Sequence, residues 1–191
     1  MRSDAVANQL KIVNAATRLM AEQGLDAELT DIAHEAGVGI GTVYRCVGNR
    51  DQVIKTIVKD MVRQLTVSFK KAENQENVAD TLLELIEQLH EIVGTYGWVH
   101  AALIGGRMAA LRDEMHAIDP IGRLELLCKR GRAEGSLRAD IEPAVISALI
   151  LGSLSPWAAL SLRSRGDARV VAQEVLRPFL AHTTKGTTTC A

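Results

Sequence analysis

Thr42, Tyr44 and Arg45 fall within one helical turn, and each side chain ends in a hydrogen-bond donor. On the outward face of a short helix, such a trio suits phosphate oxygens and base edges, which is recognition chemistry rather than catalysis. No Ser-His-Asp set, Gly-rich phosphate loop or pair of buried carboxylates can be assembled from the rest of the chain. Two pairs, Glu87-x-x-His90 and Asp113-x-x-His116, place a carboxylate and an imidazole on one helix face, a spacing used in metal bundles. Pairs at this spacing are equally at home on solvated faces. No catalytic residue, metal or cofactor is therefore expected, and the chain does not read as an enzyme.

The donors need a scaffold, and the flanking residues supply one. Leu29, Ile32, Ala33 and Ala36 recur at i, i+3, i+4 and i+7, the apolar face of a short helix. Thr30 is expected to cap its start, and Gly37 to end it in a left-handed conformation. Val38-Gly39-Ile40-Gly41 is short enough to be a turn, and a second helix is expected from about Thr42 to Val47. Small Ala33 allows close approach, while Val38, Val43 and Cys46 plug the angle between the helices. This is a helix-turn-helix. Its DNA-facing residues are expected to be Thr30, Gly39, Ile40, Gly41, Thr42, Tyr44 and Arg45, joined by Arg50 and Lys55 from the next helix. That next helix opens with Asn49 and Gln52 as a variant capping box. Ile54, Ile57, Val58, Met61, Leu65 and Phe69 then form one stripe, long enough to link the head to the rear of the chain.

The string Ala15 to Gly24, the Thr30-Asp31-Ile32-Ala33 helix start and the GTVYR turn-helix resemble the DNA-binding domain of the TetR family of bacterial repressors. The resemblance is specific over roughly residues 8–62 and architectural beyond. One position departs from the family pattern: Val47 stands where an aromatic residue is usual. What the resemblance implies is a homodimer that leaves a palindromic operator when a small molecule binds.

Composition is compatible with that expectation. The chain has 191 residues, 47% hydrophobic, enough for a substantial core, but only 3% aromatic, so packing rests on aliphatic residues. Net charge is −1, which argues against a generic nucleic-acid coat. Through residue 71 there are ten Lys/Arg against eight Asp/Glu, and twelve against fifteen afterwards, so a few placed phosphate contacts are expected. Cys46, Cys128 and Cys190 are too few and too far apart for a disulfide framework, and Met1 to Leu10 is polar. A cytoplasmic protein fits both observations. Residues 143–162 carry no charge over twenty positions, but two prolines, a glycine and four serines favour a helix buried in a dimer core over a membrane span.

The fold class expected is all-α: a three-helix DNA-binding head, then a larger helical domain for effector binding and dimerisation, about nine helices in all. Helix 1 covers about residues 6–22. The head is residues 1–48, helix 4 (49–70) links, and the rear domain is 71–191. In the rear, a helix with Leu82, Leu85, Ile86 and Leu89 is expected to close at Gly94 and Gly97. A stretch from Trp98 to Ile118 comes next, bent at Gly105-Gly106, then a helix opened by Asp119-Pro120. The uncharged helix is opened by Glu142-Pro143 and kinked by Pro156, and a last helix covers Asp167 to His182. An effector pocket is expected among Leu89, Trp98, Met108, Leu111, Met115, Leu127 and Trp157, with adaptable methionines. The dimer seam is expected at Ala148, Leu151, Gly152, Val171, Val175 and Phe179. Partners are thus operator DNA, a small-molecule effector and a second copy, with no membrane. Two alternatives remain at this point: a helical-bundle enzyme or carrier with an incidental helix-turn-helix, and a constitutive DNA-binding protein without effector.

Overall fold

The computed structural model describes residues 2–104 and 117–181. Among them are nine α-helices, two short 3₁₀ turns and one isolated antiparallel bridge, Leu137 with Leu180. In chain order the helices are α1 (Arg2–Gln23), α2 (Leu29–Glu35), α3 (Ile40–Cys46), α4 (Arg50–Glu73) and α5 (Val78–Ile104). They continue with α6 (Pro120–Ala133), α7 (Pro143–Ser153), α8 (Pro156–Arg163) and α9 (Ala168–Leu176). The all-α expectation holds. The chain forms two compact units, one of residues 1–67 with 91–118, the other of 68–90 with 119–191. Helices α4 and α5 each contribute to both.

In the first unit, α1, α2 and α3 pack mutually around Ile12, Ala16, Met20, Ile32, Ala33 and Val43, all buried. Helix α1 starts earlier than the apolar pattern suggested, at Arg2, and exposes Val6 and Leu10. Helix α4 buries Ile57, Val58, Met61, Leu65 and Phe69 as the stripe requires, and Val53 as well.

The second unit shows how tertiary partners finish helices that local sequence leaves open. The first amide of α5, at Val78, donates to Glu134 Oε1 at 3.1 Å. Arg130 donates to the carbonyls of Glu73 and Gln75, at 3.2 and 2.7 Å, satisfying the orphan end of α4. Asp119 opens α6 by accepting from the Gly122 amide, with Pro120 at the first helical position as expected.

Three boundaries differ from the sequence expectation. Helix α5 does not close at Gly94 or Gly97: it bends at Tyr96 (φ −116°, ψ 16°) and runs on to Ile104. Pro156 breaks rather than kinks the uncharged helix, because Ser155 caps a new helix by accepting from the Ala158 amide. The last helix stops at Leu176, where Pro178 enforces a 3₁₀ turn and Leu180 turns back to pair beside Leu137. At eleven residues, α7 spans about 16 Å, roughly half a bilayer's hydrocarbon core. No helix of the described residues is long and apolar enough to cross a membrane.

Candidate DNA-binding site

The turn between α2 and α3 is built by backbone hydrogen bonds. After Ala36 the chain takes a left-handed step at Gly37 (φ 64°); the Gly37 amide donates to His34 at 3.1 Å and that of Val38 to Ala33 at 3.0 Å. This pair of bonds is the Schellman closure of a helix, and glycine enters it without Cβ strain. The start of α2 differs from expectation. Glu28 is the residue preceding the helix and Thr30 lies inside its first turn, so Thr30 caps nothing. It is exposed all the same.

Helix α3 begins at Ile40, two residues before the expected start, so Ile40 and Gly41 are helical rather than part of the turn. Val43 is wholly buried and fixes the inner face, with Val38, Cys46 and Val47 half-buried around it. Tyr44 is 56% exposed and Arg45 is exposed beside it, on the face Val43 leaves free. Thr42 is half-buried, and its Oγ1 accepts from Arg45 Nη2 at 3.3 Å, which holds the guanidinium against its own helix. Gly39 and Gly41 are exposed, and a Cβ at either would meet open space. The helix therefore offers a flat, uncluttered approach at its leading end.

The end of α3 is locked to α4. The Gly48 amide donates to Val43 at 3.1 Å with φ 103°. A Cβ there would lie 1.7 Å from Gln52 Oε1, so no other residue fits without moving that side chain. Gln52 is held because it forms the capping box: its Oε1 accepts from the Asn49 amide at 2.8 Å, and Asn49 Oδ1 accepts from the Gln52 amide at 3.0 Å. Arg50 is half-buried and pairs loosely with Asp26 at 3.8 Å, while Lys55 is exposed. A further tie, not legible in the sequence, joins Arg18 of α1 to Glu35 of α2 at 2.9 Å.

A second polar cluster in the same unit was likewise missed. The Tyr96 hydroxyl, at the bend of α5, donates to Asp60 Oδ2 at 2.8 Å. Gln64 Nε2 donates to that same oxygen and to the Tyr96 hydroxyl, both at 2.8 Å, and Arg63 reaches Asp60 Oδ1 at 2.7 Å. Asp60 and Gln64 stand one turn apart on α4, so the bend of α5 is pinned to the helix that follows α3. The signal in the sequence was a carboxylate and an amide interrupting the flank of an apolar stripe.

Burial pushes Asp60 up, but the hydrogen bonds from Arg63, Tyr96 and Gln64 outweigh it and hold its carboxyl below the ordinary 3.8. Burial, then the bond to Asp60, pushes the Tyr96 phenol up to about 12. A depressed carboxylate contributes stability that is present above the unfolded pKa and lost as pH falls through the folded one. Asp60→Asn should therefore lower stability by about 1 kcal/mol at neutral pH, the partly exposed Arg63 pair adding little. The gap from wild type should narrow below about pH 4. Thermal melts at pH 7 and pH 3 check this; a gap that widens in acid would be the wrong sign.

The remaining sequence candidates are dispersed. Glu87 pairs with Arg169 at 2.8 Å, while His90 Nε2 lies 3.2 Å from Ser153 Oγ, so the two face separate partners. Asp113 and His116, like Met108, Leu111 and Met115, lie outside the described residues. Trp98 is half-buried in the first unit, and Leu89 and Leu127 are buried in the second. Trp157 is 85% exposed and encloses no pocket in the single chain. Of the expected dimer residues, Ala148 and Gly152 are exposed and Leu151 and Val175 half-buried, but Val171 and Phe179 turn into their own unit's core.

Residues 12–57 match the family model of bacterial regulatory proteins, tetR family. The described architecture is also that of solved transcriptional regulators. The ketosteroid transcriptional regulator KstR2 of Mycobacterium tuberculosis is 18% identical, with a TM-score of 0.68 over 91% of this chain and 95% of that one. The TetR family transcriptional regulator PfmR of Thermus thermophilus is 21% identical, with a TM-score of 0.63 over 87% and 97%. AibR, solved with isovaleryl coenzyme A and operator DNA, is 16% identical, with a TM-score of 0.66 over 89% and 97%. No curated protein matches the chain. Over residues 12–57 the chain is similar to the tetR family of bacterial regulatory proteins, as the GTVYR turn-helix implied.

Proposed function

We propose that this chain is a ligand-responsive DNA-binding transcriptional regulator, a cytoplasmic homodimer released from a palindromic operator by a small molecule. One observation carries the reading: α3 is fixed on its inner face by buried Val43 while Tyr44 and Arg45 are exposed on the other. Donors on a rigid, outward helix are what groove recognition requires. The relative solved with isovaleryl coenzyme A and operator DNA supports an effector as well as an operator. On this reading residues 1–48 contact DNA, α4 connects, and residues 71–191 receive effector and partner. The Asp60–Tyr96 tie then gives the segment after the α5 bend a grip on the helix that carries the head.

Tyr44→Phe should weaken binding to all DNA sequences alike, because a phenol on a phosphate reads no base. Arg45→Ala should cost about 1–3 kcal/mol on the operator and less on random DNA if the guanidinium pairs with a base edge. Gel shifts on the region upstream of the chain's own gene, with and without competitor DNA, separate the two effects. Equal losses for Arg45→Ala on both DNAs would make it a phosphate contact. No shift by the wild-type protein on any bacterial promoter fragment would overturn the DNA-binding reading itself.

A further inference from the structure

The exposed residues of α3 are Ile40, Gly41, Tyr44 and Arg45. At a spacing of one turn, Ile40 and Tyr44 lie along one flank of that face, and Gly41 and Arg45 along the other. Helical side chains lean back toward the N-terminus, so Arg45 reaches over the turn that contains Gly41. Gly41 puts no side chain in the way, and a Cβ there would meet nothing within 4 Å. The guanidinium is found on that path, with Arg45 Nη2 donating to Thr42 Oγ1 at 3.3 Å. It is thus held along the helix face rather than extended sideways. Ile40 is 39% exposed at the same end, between two exposed glycines that leave its methyl groups unsheltered along the chain.

The composition of α3 narrows what it can read. The helix contains no Asn, Gln, Asp or Glu, the residues that pair bidentately with adenine or accept from cytosine. It offers a forked donor, which matches O6 and N7 of guanine, and a branched alkyl group, which matches the 5-methyl group of thymine. We propose that in each operator half-site α3 reads a guanine through Arg45 and a thymine methyl group through Ile40. This rests on the proposed DNA-binding function and names the bases that the site selects. Ile40 and Arg45 are separated by about 7.5 Å of helix rise, which the backward lean of the arginine shortens. At about 3.4 Å per base pair, the two bases lie within about three base pairs of each other.

Duplexes enriched by the full-length protein from a random-sequence library supply the probe. Deoxyuridine, which lacks only the 5-methyl group, replaces each thymine in turn, and 7-deazaguanine, which lacks the N7 acceptor, each guanine. Affinities are measured by fluorescence anisotropy for wild type, Ile40→Ala, Ile40→Val and Arg45→Ala, at low salt so that weakened variants stay measurable. For wild type, one thymine per half-site should lose about three- to fivefold as deoxyuridine. One guanine within about three base pairs of it should lose about tenfold as 7-deazaguanine. The thymine effect should persist in Ile40→Val, which keeps the methyl groups, and shrink below about twofold in Ile40→Ala. The guanine effect should vanish in Arg45→Ala alone. Each effect is a ratio between two DNAs on one protein, so a general loss of folding or of phosphate contacts cancels. Deoxyuridine tolerated at every thymine, or equally harmful to Ile40→Ala, would overturn the role of Ile40. An unchanged 7-deazaguanine penalty in Arg45→Ala would overturn that of Arg45. Either result, with the unmodified duplex still bound, leaves the DNA-binding reading standing. Failure to enrich any duplex, with no binding to random DNA, would overturn that reading and this proposal together.

Discussion

Phe69→Ala should destabilise the protein by about 3–5 kcal/mol, a large share of the roughly 5–15 kcal/mol typical of a whole domain. Phe69 is wholly buried and is one of only two phenylalanines in a chain poor in aromatic residues. Its ring is also the seat of a charged group: the Arg123 guanidinium carbon lies 5.1 Å from the ring centroid. Arg123 in turn donates to Glu73 Oε1 at 2.6 Å, joining α6 to the last turn of α4. Truncation therefore leaves a cavity and removes the surface on which that cation rests. The ion pair alone is worth far less, since Glu73 is well exposed to solvent. Glu73→Gln accordingly serves as the control and should cost under about 1 kcal/mol. Urea unfolding followed by circular dichroism measures both. A Phe69→Ala loss no larger than the control's would mean that the core around α4 closes over the gap.

Leu149→Glu should turn the protein into a monomer and weaken operator binding by about 100-fold or more, because two tethered half-site readers gain about 10²–10⁴ in affinity over one. The argument begins with α7, which has no charged residue from Pro143 to Ser153. Ile146 and Ile150 bury one side of it. Val145, Ala148, Leu149 and Gly152, at i, i+3, i+4 and i+7, remain exposed on the other, Leu149 at 55%. An uncharged stripe with small residues at its centre is a surface for a second helix, and in a homodimer the same stripe supplies that helix. Val170, exposed on α9, extends it; Val171 does not. Leu149 faces solvent within one chain, so a glutamate there leaves the chain's own core intact and places like charges together only on assembly. Light scattering and gel shifts on one sample decide the matter. A Leu149→Glu protein that stays dimeric would move the interface off α7.

The local devices were legible because each is completed by residues a few positions apart. Gly37, Gly48 and the Asn49–Gln52 box set the turns on either side of α3, and each meets its partner within five residues. Spacing likewise identified the buried stripe of α4 and the free face bearing Tyr44 and Arg45. Thr30 misled for a related reason: a threonine before an apolar run is a good cap, but backbone hydrogen bonds from Ile32 to Glu28 start the helix earlier. Local preference is weak, about 1 kcal/mol, and the packing of Ile32 and Ala33 against α1 decides the register.

Tertiary contacts decided what two faces of a helix could not declare by themselves. Gly94 and Gly97 read as a stop, yet α5 passes through them because the Tyr96 hydroxyl is held by Asp60 and Gln64, more than thirty positions away. Val171 and Val170 are adjacent and equally apolar, and only the folded unit shows that the first is covered and the second is not. The sequence by itself determined most of the helices, the turn between α2 and α3 and the exposed face bearing Tyr44 and Arg45, since these depend on neighbours along the chain. Which apolar faces stay open and where α5 bends were settled only by the fold, because burial and long-range hydrogen bonds depend on what is packed opposite, and periodicity carries no information about that.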